Sequence, residues 1–182
     1  VDKISLTVLK GKKDMVSYNE ETFIRYDYFN LYKKKGFLRE LTGVVEDTRG
    51  IFLHPTRSLC FTSLYLFAYP RVKYPLEIGK SWEAYPRTLK YVNEHIKSYG
   101  YDTIPTTLKF GFEIVEKLHI RTPFKNLSCY KIEGKELTDV EISNNIAHFY
   151  FNEEYGFVKQ VYYDSIKKTT LVIELEDVID LE

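Results

Sequence analysis

Glu113, Glu116, Glu133 and Glu136 are the side chains of this sequence whose types and spacing come nearest to chemistry. They fall in pairs on two segments that read as adjoining strands, and two facing carboxylates are what glycoside hydrolysis uses. Lys109, Lys117, Lys131 and Lys135 are interleaved among them. That mixture is the pattern of a solvated sheet face laced with cross-strand ion pairs. A zinc site needs three or four converging ligands, and His54, His95, His119 and His148 have no close spacing. His119 and His148 are expected to face each other across neighbouring strands as an ordinary pair. No Gly-x-Ser-x-Gly elbow, glycine-rich phosphate loop or Rossmann fingerprint occurs. Cys60 and Cys129 lie far apart and outside any basic context that would favour a thiolate. They read as two buried thiols or as one long-range disulfide. The expectation is a protein that is not an enzyme, with no metal and no cofactor.

The aromatic residues say more than the titratable ones. Sixteen tyrosines and twelve phenylalanines accompany a single tryptophan, Trp82. Most sit where apolar and polar residues alternate, the pattern of strands that bury one face. Residues 147–163 give the clearest case, two strands around a turn near 152–156. Strands are also expected at 108–120, 127–133 and 171–175, so the last 75 or so residues form an antiparallel meander. Upstream, residues 4–9 alternate, 15–32 read as extended, 33–36 as a turn, and 37–45 with 50–54 as a hairpin. The apolar run 59–68 has spacing that suits a short buried helix, and 87–98 a second one. Pro70, Pro75 and Pro86 favour extended or turn backbone around Trp82. The predicted fold is mainly β (α+β), a single curved antiparallel sheet or an open or half β-barrel with one or two short helices, in one domain over 1–182.

Composition narrows the partners. With 26 basic and 26 acidic residues, the chain lacks the basic excess of a general nucleic-acid binder. No apolar run reaches the ~18–20 residues that would span a bilayer, so no transmembrane segment is expected. A chain that opens on Val1 reads as a processed product, which carries the expectation of an export signal removed.

Three arrangements carry a resemblance. Pro75-Leu-Glu-Ile-Gly-Lys-Ser-Trp82 sets a proline, a glycine and a tryptophan at fixed offsets. Ile120-Arg-Thr-Pro-Phe124 leads into Cys129-Tyr-Lys-Ile132, and Tyr155-Gly-Phe-Val-Lys159 precedes a final strand. Over residues 70–178 this order resembles exported domains of unknown function from Gram-negative bacteria that are distantly similar to the lipoprotein-carrier (LolA/LolB-like) group; residues 1–69 contribute extra strands. The resemblance implies a periplasmic or outer-membrane-associated protein whose curved sheet offers its concave face to an apolar, lipid-like ligand. Trp82, Phe110, Phe112, Ile132, Phe149, Phe151 and Val158 would wall that face. The alternative is a structural or protein-interaction module of an envelope complex, and a hydrolase is a third reading. An open groove of about 300 Å³ or more would favour the carrier, and a closed aromatic core the module.

Overall fold

The chain folds into antiparallel strands that take their places in sequence order. The structure, a computed structural model, describes residues 3–13, 22–29, 38–84, 87–88, 97, 107–137 and 145–179. Lys3–Lys13 (β1), Thr22–Phe29 (β2), Leu38–Asp47 (β3), Gly50–Leu53 (β4) and Arg71–Lys73 (β5) form one sheet in the order β1-β2-β3-β4-β5. Ser81–Glu83 (β6) opens a second sheet. Arg87–Thr88 (β7) and Thr107–Leu108 (β8) pair with each other. Phe110–Arg121 (β9), Asn126–Glu136 (β10), Ile146–Asn152 (β11), Gly156–Asp164 (β12) and Thr169–Glu174 (β13) complete the second sheet, in the order β13-β12-β11-β10-β9-β6. The fold is mainly β and antiparallel, and its sheets do not close into a barrel.

Alternation is what selects these strands. In β9, Phe110, Phe112 and Ile114 are buried while Glu113 and Glu116 are exposed; in β11, Ala147, Phe149 and Phe151 are buried with half-buried residues between them. The run at 59–68 is helical, as its spacing implies, and takes the tighter 3-10 form over Leu59–Leu66. Of the second expected helix, Arg87 and Thr88 are strand and Lys97 is helical; the rest of 87–98 lies outside the described residues, as does the turn at 33–36.

The 3-10 segment and the residues that follow it, through Tyr69, lie between the two sheets and fill the space there. Phe61, Leu64, Leu66, Phe67 and Ala68 join one buried cluster with Ile24, Tyr26 and Tyr28 of β2 and with the inner residues of β9, β10 and β11. Phe61 meets the Tyr28 ring at 5.9 Å on one side, and Phe67 meets Tyr162 of β12 at 5.4 Å on the other. A glycine permits the closest approach: a Cβ on Gly134 of β10 would sit 2.7 Å from the Cβ of Ala68 and 3.2 Å from the Phe112 ring. Gly50 serves the first sheet in the same way. Its φ of 151° suits glycine, and a Cβ there would lie 2.0 Å from the Val72 carbonyl oxygen, so no larger residue lets β5 lie against β4.

A smaller cluster occupies the opposite face of the second sheet. Leu127, Cys129 and Val158 are buried there against Ile120, Phe124, Tyr150, Tyr155 and Leu175.

Candidate functional site

The seven residues expected to wall a ligand are placed in two groups. Trp82, Phe110, Phe112, Ile132, Phe149 and Phe151 all belong to the main core, none more than 8% exposed. Trp82 stacks on Phe112 at 5.6 Å with planes 3° apart, and its indole N–H has no partner among the described residues. Phe149 and Phe151 meet Phe157 edge-on at 6.1 and 5.2 Å. Val158 does not join them. The register shifts between Tyr150 and Phe151, with Phe151 paired to Phe157 and Tyr150 to Lys159. The extra residue in β12 is Val158, and this bulge turns it to the outer face.

The titratable residues form surface pairs. Glu133 lies directly opposite Glu113, accepts from Lys135 at 2.8 Å and lies 3.3 Å from the His148 ring. The Lys135 hydrogen bond, with His148 also contributing, holds its carboxyl below the ordinary range. Lys131 reaches Glu116 at 3.1 Å. His119 pairs with Ser128 and His148 with Glu133, so the expected histidine pair is not formed. Among the described residues no three His, Cys, Asp or Glu side chains gather as metal ligands would. Cys129 is a free, buried thiol whose pKa burial pushes up to about 11, which keeps it protonated and unreactive at neutral pH.

Sequence spacing gave no sign of the half-buried polar group that holds the inserted segment. Glu40 of β3 accepts from the Tyr28 hydroxyl at 2.5 Å and from the backbone N–H groups of Arg57 and Ser58 at 3.1 and 3.2 Å. Thr56 also donates to it, at 3.2 Å. This carboxylate therefore pins the turn that leads into the 3-10 segment. At the far end, Arg87 donates to the carbonyls of Tyr65 and Phe67 at 2.5 and 2.8 Å, satisfying acceptors left open where the helix stops. The two guanidiniums are layered among rings, Arg57 5.3 Å from Tyr65 and Arg87 3.7 Å from Tyr69. Burial works against the Arg57 charge, but Tyr69, Tyr65 and Glu40 outweigh it and its pKa rises. These groups are distant in sequence, so no local pattern announces them.

His54 feels the same neighbours. Its ring packs edge-on against Phe52 at 4.6 Å and Tyr69 at 5.8 Å. Burial, then the charges of Arg57, Arg87 and Arg71, lower its pKa from 6.5 to about 4. The unfolded chain thus takes up a proton near the ordinary value while the folded chain resists until about 4. Stability contributed by neutral His54 is complete above 6.5 and drains away as pH falls through that window, by roughly 3 kcal/mol. Urea midpoints measured from pH 7 to 4 are expected to fall along this limb, and His54→Phe to flatten it.

Among the described residues, two solvent-facing features bear on binding. A cleft of about 230 Å³ lies between the inserted segment and the β12–β13 hairpin, with Phe61, Leu64, Phe67, Tyr162 and Leu171 as its floor and the exposed Lys167, Thr169 and Thr170 at its mouth. The other is the end of the second sheet. β13 is its terminal strand, and on the outer face Val172 pairs with Val161 while Tyr163 pairs with Ile146 and Thr170. Tyr163 and Val172 are 41% and 48% exposed, giving an apolar strip beside an open edge. In comparisons with protein families, curated proteins and solved structures, nothing matches this chain.

Proposed function

We propose that this chain is a non-enzymatic protein-interaction module, with the open β13 edge and the Val161–Tyr163–Val172 strip as its contact element. The carrying observation is that six of the seven side chains expected to wall a ligand are packed shut, while Tyr163 and Val172 stand exposed side by side at the terminal strand of the second sheet. A strand edge recruits partners through main-chain hydrogen bonds, and apolar neighbours on one face add specificity. The envelope location implied by the resemblance belongs to the same proposal. Its check is fractionation of the host cell, with the protein expected in the periplasmic or outer-membrane fraction.

A second reading, a small amphiphile in the cleft, is favoured by the apolar floor and polar mouth found there. Its volume falls short of the ~300–1,000 Å³ typical of ligand sites, which speaks for the module. One set of measurements separates the two. Immobilised wild-type chain is expected to retain a constant protein from envelope extracts, and Tyr163→Lys to release it without lowering the melting temperature. Co-purified lipid in native mass spectra, displaced by Leu171→Trp in the cleft floor, would replace the module reading with the carrier.

A further inference from the structure

We propose that one partner of this edge is a second copy of the chain, with the two β13 strands antiparallel about a two-fold axis at Val172. The inference rests on the module reading and names the occupant of its contact element. The backbone fixes the geometry. The N–H of Leu175 donates to Val158, so the hydrogen-bonding residues of β13 that face β12 are the odd-numbered ones. Thr170, Val172 and Glu174 therefore turn their N–H and C=O groups to the open edge. Pairing Val172 with Val172 of the second copy sets Thr170 opposite Glu174 in both directions, so all three residues exchange hydrogen bonds across the axis.

Side chains agree with this register. Leu171 meets Ile173 on the inner side, and on the outer side the two exposed valines meet each other, continuing the strip across both copies. No like charges are opposed within the strand. Beyond it, the basic turn at Lys167 and Lys168 comes to the same end of the pairing as the acidic Glu176 and Asp177 of the other copy. That turn is held in shape, since Asp164 accepts from the backbone N–H groups of Ile166 and Lys167 and Asn145 accepts from Ser165. Thr169–Glu174 carries no lysine or proline, the residues that discourage edge pairing.

A six-residue edge makes a small interface, so the dimer belongs to the weak class below ~1,200 Å². Sedimentation equilibrium between roughly 1 and 100 µM is expected to show mass rising towards twice that of the chain, less so in high salt. Val172→Lys puts like charges on the axis and is expected to weaken the dimer at least about tenfold. Its thermal melt should match the wild type, because Val172 is exposed. Asp177→Lys is expected to weaken it less, and Lys167→Glu in that background to restore it. A chain that stays monomeric over the whole range, or a dimer indifferent to Val172→Lys, overturns the self-pairing. If monomeric wild type still retains a host protein that Tyr163→Lys releases, self-pairing falls and the module reading stands.

Discussion

Glu40→Ala is expected to lower folding stability by roughly 3 kcal/mol, the low end of the range seen when one member of a buried ion pair is removed, since this pair is only partly buried. Glu40 is 12% exposed and faces Arg57 at 3.9 Å. Its carboxylate also accepts the Tyr28 hydroxyl and the backbone N–H groups of Arg57 and Ser58. Alanine leaves the two backbone N–H groups without this acceptor, the Tyr28 hydroxyl with Thr56 alone, and the Arg57 charge without its carboxylate, in a place water reaches poorly. Glu40→Gln keeps an acceptor but not the charge, so its loss should be smaller, about 1–2 kcal/mol. Combining Glu40→Leu with Arg57→Leu should recover part of the loss by removing both charges together. Urea unfolding followed by circular dichroism measures all three. A Glu40→Ala loss below about 1 kcal/mol would mean that the turn before the 3-10 segment is not held by this carboxylate.

Phe149→Ala is expected to be at least as severe, roughly 3–5 kcal/mol. Phe149 is fully buried, meets Tyr162 at 5.8 Å and Phe157 at 6.1 Å, and packs over the bare backbone of Gly134. The neighbours that would have to close the gap are aromatic rings fixed in edge-on contacts, so collapse into it is poor. Phe149→Leu should retain much of the stability. The same pair of variants speaks to the carrier reading. A residue lining a solvent-filled groove could be shortened with little change in melting temperature, whereas a core residue cannot.

These two residues also mark what the sequence made legible. Phe149 lies in the most regular alternation of the chain, and burial of every second residue along β11 and through Ile114 of β9 follows from that period alone. Val158 has the same apparent parity and lands on the other face, because a bulge adds one residue to β12 and bulges leave no composition signal here. The histidine pair failed for a related reason: register, not strand identity, decides which side chains meet. The apolar run at 59–68 announced a short helix but not that it would fill the space between the two sheets. That depends on Glu40 and Arg87, whose partners lie far along the chain. The β13 strip was legible as strand but not as edge, since strand order is a property of the whole sheet.

The insertion between the sheets has a kinetic consequence. Its residues leave the first sheet and must be enclosed by strands that follow them, so the inner faces of β9 to β12 are fully buried only once Phe67 and Ala68 are in place. Contacts such as Phe67 with Tyr162 close long stretches of chain before any hydrophobic gain is realised. Chains whose stability rests on pairings this distant fold in milliseconds to seconds instead of microseconds. Through that interval β13 already carries an unpaired edge, so the surface that serves recognition in the finished molecule is also where incompletely folded copies would first adhere to one another.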